Sequence, residues 1–166
     1  MYLKEIRLGN IRPFSHTQIK FKKGINVVFG ENGTGKTTIL ESIHLLSLGK
    51  SFKTAHPEEY IKKNQHRYKI QGKTNTDIKI QIEGTKTKKI IKVQEKTINK
   101  ISNHIKTLPV VISTPDEIVY EGDQNKKKQK NLNKNICLCD LKYMQELKKF
   151  NLIIKQRNVA IKKNLD

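Results

Sequence analysis

Tryptophan is absent from this 166-residue chain, and cysteine, methionine and alanine occur only twice each. Two cysteines, Cys137 and Cys139, cannot build a disulfide framework and are expected to be free thiols. Without a neighbouring histidine to complete a set of four ligands, a zinc site is not expected either. No apolar run approaches the ~20 residues of a membrane span, and the opening "MYLKEIRLGNIRPF" lacks the apolar segment of a signal peptide. The expectation is a cytoplasmic protein with no membrane association. Acidic residues are also scarce, 15 against 34 Lys and Arg, for a net charge of +19. Such a surplus attracts anionic partners such as nucleic acid. Only Arg7, Arg12, Arg67 and Arg157 are arginine, however, and a chain crowded with Lys, Asn and Ile has the composition of A/T-rich coding, so the charge alone fits a solvated surface equally well.

What is present is ordered in a recognisable way. Alternation in Leu3, Ile6 and Leu8, and again in Ile19 and Phe21, predicts two short strands joined by the turn "GNIRPFSH". The continuous apolar run "GINVVFG" predicts a fully buried strand over residues 25–29. Ile39, Leu40, Ile43 and Leu46 then recur at helical spacing, and Gly49 supplies a stop. Residues 67–107 change to period two, the pattern of an antiparallel meander, and "LPVVIST" at 108–114 predicts a further buried strand. A Lys/Asn/Gln-rich stretch leads into a long helical pattern marked by Leu141, Met144, Leu147, Phe150, Ile153 and Ile154. With nothing following to bury that stripe, the chain reads as a truncated one. The expected division is 1–114 for a nucleotide-binding unit and 115–166 for the start of a helical arm.

Between the expected buried strand and the first helix lies "GENGTGKTT". Gly30, Gly33, Gly35, Lys36 and Thr37 satisfy G-x-x-x-x-G-K-[ST], in the strand-loop-helix context that the phosphate-binding loop requires. Glycines let successive backbone N–H groups, here those of Gly30, Glu31, Asn32, Gly33, Thr34 and Gly35 with Thr38 beyond, curl around an anion. Lys36 then acts as a point charge on the β- and γ-phosphates, and the Thr37 hydroxyl ligates Mg2+. ATP with Mg2+ is the expected ligand. Hydrolysis would also need a carboxylate behind the metal, and Asp116, past the end of "LPVVISTP", is a weak candidate for it. No catalytic residue is assigned.

The segment from "LKEIRLGNIRPF" through "GENGTGKTTILESI" to "GKSFKT" resembles the N-terminus of the RecF family, whose head is an ABC-type ATPase related to SMC proteins. "LPVVISTPDEIVYEGD" and "YMQELKKFNLIIKQRN" resemble that family's entry into its arm and the arm's long helix. The resemblance implies an α/β fold, an ABC/SMC-type P-loop ATPase head with an antiparallel lobe, and Asn10 and Arg12 near the nucleotide. It also implies ATP-dependent homodimerisation on DNA at gaps and single-strand/double-strand junctions, with RecO, RecR and RecA as partners. The family's signature motif and Walker B strand lie beyond its arm and are not in this sequence, so competence in hydrolysis is left open. Where the family has a basic pair followed by Phe-Leu-Asp, this chain has Gln129, Lys130, Asn131, Leu132 and Asn133. Lys126, Lys127, Lys128, Lys130 and Lys134, with Lys148, Lys149, Lys155 and Arg157 on the following helix, are the expected contacts to DNA phosphates.

Two readings from other classes compete. A small P-loop kinase should show a lid rich in arginine, and this chain has four arginines and a β meander instead. A DNA-binding remnant with a decayed loop should not retain Lys36 and Thr37 intact.

Overall fold

The computed structural model describes residues 1–98, 107–113, 129, 132–133, 135–137 and 140–163. It divides into two units, Met1–Ile112 and Ser113–Asp166.

In the first unit, strands β1 (Leu3–Ile11), β2 (Phe14–Lys20), β3 (Tyr68–Thr74), β4 (Lys79–Gly84), β5 (Lys89–Val93) and β6 (Lys96–Thr97) form one sheet. Their order is β2-β1-β3-β4-β5-β6, and every pairing is antiparallel. Period-two patterning sends Ile6, Leu8, Ile70, Ile80, Ile82 and Ile91 to one face, where all are buried. Helix α1 (Lys36–Leu48) packs on that face with Leu45 and Leu46 fully buried. Gly72 of β3 makes the approach possible. A Cβ there would lie 2.2 Å from Leu46 Cδ2 and 3.0 Å from Leu3 Cδ1. Leu108 also joins this core, and its carbonyl accepts the Ser47 hydroxyl. Tyr60 and Tyr68 meet edge to face beside it, with ring centroids 5.2 Å apart.

The meander forms as its alternation predicts, and Gly49 ends α1 in a left-handed conformation, donating to the Leu45 carbonyl at 2.7 Å. Elsewhere the structure departs from the sequence reading. The first hairpin is tighter than "GNIRPFSH" suggests, because β1 and β2 run on until only Arg12 and Pro13 remain between them, and Arg12 takes a positive φ of 45°. Residues 25–29 are not a buried strand. Ile25, Val27 and Phe29 are 94%, 76% and 89% exposed, and the run pairs with no strand among the described residues. Residues 108–113 likewise form no strand, with Leu108 buried and Val111 exposed. A continuous apolar run specifies burial only where neighbouring strands offer their N–H and C=O groups on both sides, and none among the described residues does.

In the second unit, helix α2 (Leu141–Lys163) starts at Asp140, whose Oδ1 accepts the backbone N–H groups of Lys142 and Tyr143 at 2.8 and 3.2 Å. Met144 is buried, whereas Phe150 and Ile153 of the expected stripe are exposed. The Tyr143 hydroxyl donates to Asn133 Oδ1 at 2.6 Å. Asn133 therefore holds Tyr143 through an amide oxygen at a position where the resemblance leads one to expect a carboxylate. Asn131 lies outside the described residues.

Candidate functional site

The loop before α1 is shaped by its glycines. Gly30, Gly33 and Gly35 all have positive φ, at 146°, 83° and 100°, values that side chains with a Cβ rarely adopt. The Thr34 hydroxyl donates to the Glu31 carbonyl at 2.9 Å, closing the turn on itself. Lys36 folds back over the loop, its Nζ donating to the Gly30 carbonyl at 2.8 Å and the Glu31 carbonyl at 2.6 Å. The loop thus places one ammonium group at its centre. Asn32 and Thr37 are exposed beside it, and Thr38 turns into the core.

Helix α1 begins with no side-chain cap and no acidic residue in its first turn. The first N–H groups of the helix, and the positive end of its dipole, are therefore open to an anion. This local chemistry fits a polyphosphate: backbone donors, one lysine and an exposed Thr37 hydroxyl able to ligate a divalent cation. The tip of the first hairpin closes over the same loop. A Cβ at Gly35 would lie 2.6 Å from Phe14 Cζ and 2.9 Å from Pro13 Cγ, so only glycine lets the hairpin sit on the helix start.

Arg12 is brought to α1 and Asn10 is not. The Arg12 guanidinium reaches Glu41 of α1, with Nε 2.8 Å from Oε2 and an Nη donating to Oε1 at 3.2 Å. The Glu41 side chain is 0% exposed and that of Arg12 is 26% exposed. Ser51, in the "GKSFKT" segment, donates its hydroxyl to the same Glu41 oxygen that Arg12 Nη contacts. Asn10, also at positive φ, lines the opposite face of the sheet. Sequence reasoning missed Glu41 and Ser51. The available signal was a carboxylate among the apolar residues of α1, which must find a cation if buried.

Of the expected DNA-contacting residues, Lys148, Lys149, Lys155 and Arg157 are exposed on α2, and Lys149 pairs with Glu146 at 2.9 Å. Lys126, Lys127, Lys128, Lys130 and Lys134 lie outside the described residues, as do Asp116 and Cys139. Cys137 is a free thiol. No helix among the described residues is long and apolar enough to cross a membrane.

Comparison with known proteins agrees with this geometry. The chain is 30% identical to the DNA replication and repair protein RecF of Alkaliphilus oremlandii, across 99% of this chain and 46% of that protein. It is 33% identical to the RecF of a Thermoanaerobacter species, across 98% and 46%. Among solved structures, that of the recombination mediator protein RecF-ATPrS in the RecFOR pathway superposes with a TM-score of 0.80 at 29% identity, over 98% of this chain and 45% of that one. The RecF-ATP structure gives 0.79. The chain spans a little under half the length of the relatives it matches, and its similarity is to the N-terminal portion of RecF. A family model described as an AAA domain matches residues 5–166. The chain belongs to the AAA domain family, and its fold is that of an ABC/SMC-type ATPase head.

Proposed function

We propose that the chain binds ATP with Mg2+ through the loop Gly30, Glu31, Asn32, Gly33, Thr34, Gly35, Lys36, Thr37 and Thr38, with Thr37 ligating the metal. We further propose that it serves in the cytoplasm as part of a RecF-type DNA replication and repair ATPase, associating with single-stranded and gapped duplex DNA. The observation that carries the reading is the loop itself: three positive-φ glycines and Lys36 before an uncapped helix start. Arg12, tied to Glu41, holds the hairpin tip beside the nucleotide. Homodimerisation on ATP and contacts with RecO, RecR and RecA are part of the same proposal, which the similarity to RecF supports. Hydrolysis is not assigned to these residues, because Lys36 and Thr37 bind and orient the phosphates but supply no group to position an attacking water.

The experiment is calorimetric titration of ATP and Mg2+ into the chain and into Lys36→Ala. Hydrogen bonds to charged groups contribute roughly 1.5 to 3 kcal/mol each, so the variant should lose ATP affinity by at least tenfold. Equal affinity of the two proteins would refute the assignment.

A further inference from the structure

The face of the sheet turned away from α1 carries a second feature. Alternation leaves Arg7 and Gly9 of β1, Lys69 and Gln71 of β3, and Gln81 and Glu83 of β4 on that side. Of these, Arg7, Gly9, Lys69, Gln71 and Glu83 line a trough of about 1080 Å3, walled by Arg67, Lys88 and His16. Glycine at position 9 adds no side chain to the floor, where a Cβ would make ordinary contacts with Lys69 at 3.5 to 3.7 Å and with the Ser15 carbonyl at 4.0 Å. Beyond it the same face continues into a second hollow of about 320 Å3 that includes Lys73, Lys79 and Lys92.

The charge balance in the trough is one-sided. Arg7, Arg67, Lys69 and Lys88 line it, and Glu83 is the only acid. Glu83 is already engaged, 3.5 Å from Lys92 and accepting from Gln81 at 3.2 Å. Arg7 is paired with Glu5 at 2.6 Å. Arg67, Lys69 and Lys88 make no ion pair among the described residues. The floor between them is tied by a hydrogen bond in which Gln71 Nε2 donates to Gln81 Oε1 at 2.9 Å.

From these observations we infer that the open sheet face, centred on Arg67, Lys69 and Lys88, binds the phosphate backbone of duplex DNA. From Arg7 on β1 to Lys88 beside β5 the cations cross three inter-strand spacings, about 14 Å. A single phosphate cannot meet cations so far apart, whereas duplex DNA presents one charge per about 1.7 Å of its axis. Single strands are held by bases stacked on exposed aromatic rings. Tyr68 lines this trough but is buried, which leaves the His16 imidazole as the one exposed ring on it, too little for successive bases to stack on. The match is therefore to backbone and not to bases, and binding is without sequence preference.

This inference rests on the proposed DNA association and assigns it a surface separate from the nucleotide loop and from α2. The test compares the chain with Arg67→Gln/Lys69→Gln/Lys88→Gln and with a control of equal charge, Lys22→Gln/Lys23→Gln/Lys53→Gln, on labelled duplex over a range of salt concentrations. Each lost phosphate contact lowers the slope of log affinity against log salt by about 0.9. The trough variant should lose two to three units of slope and at least tenfold in affinity at low salt, with the control within twofold of the parent. ATP affinity, read by calorimetry, should be unchanged in both and reports that the variants are folded. Single substitutions at the three positions should each remove about one unit. Duplex binding by the parent that the trough variant retains, or that the control loses equally, overturns the inference and leaves the DNA reading standing. Tighter binding of single strands than of duplex also overturns it. A parent chain that binds no DNA at low salt refutes both, while the ATP titration decides the nucleotide site independently.

Discussion

At the scale of single residues, the buried pair of Arg12 and Glu41 separates two kinds of loss. Removing one partner of a buried ion pair costs roughly 3 to 5 kcal/mol, because the other charge is stranded. The two directions are unequal here: Glu41 is wholly enclosed, while a quarter of the Arg12 side chain reaches solvent. Arg12→Ala should therefore lower the urea midpoint more than Glu41→Ala, and the difference between the two midpoints is the measurement. The tyrosines give a second residue-level outcome. Burial, ahead of all other causes, raises the Tyr68 hydroxyl far above the usual phenol value of about 10 and also raises Tyr60. A group whose folded value is raised contributes stability that is complete below its unfolded value and is lost as pH climbs through the folded one. Stability should thus begin to fall above pH of about 10. Of the five tyrosines, Tyr60 and Tyr68 should ionise only as the chain unfolds. Tyrosinate absorbance would then show a late step coincident with loss of far-ultraviolet dichroism, and Tyr68→Phe should shrink that step.

At the scale of elements, the contact between the first hairpin and α1 depends on Gly35. An alanine there meets both a left-handed backbone and the Phe14 ring, so Gly35→Ala should cost about 1 to 3 kcal/mol in a urea melt. Adding Phe14→Ala should recover the part due to the ring and leave the Pro13 contact and the backbone part. The same region shows what the sequence made legible. The glycine-lysine loop, the end of α1 at Gly49 and the meander all rest on local rules of backbone conformation and alternation, and all three are found. The hairpin tip is different, since β1 and β2 consume most of a stretch rich in turn residues and leave Arg12 and Pro13 alone at the bend. The partners of Glu41 were illegible for a related reason: Arg12 and Ser51 approach it only once the chain is folded. Leu40 matches the helical period yet is half exposed, while the polar Ser42, His44 and Ser47 are buried. Period alone does not say how far around a helix its neighbours reach.

At the scale of the molecule, the apolar run before the loop carries the least obvious prediction. Exposed side chains contribute little to stability, so Val27→Ser and Phe29→Ser should each shift unfolding by less than about 0.5 kcal/mol. Each should reduce self-association, since contiguous exposed apolar surface promotes it. Urea melts and light scattering on the same samples check both outcomes, and a loss of several kcal/mol would mean that the run is buried after all. A final consequence is mechanical. Leu46 sits in the notch left by Gly72 like a tooth in a gear, and close-packed interiors transmit displacement instead of absorbing it. A push on the start of α1 at Lys36, about 15 Å along the helix, is handed on to β3, the strand whose reverse side bears Lys69. Helix and sheet would then act as one lever, with the proposed nucleotide loop at one arm and the basic trough at the other.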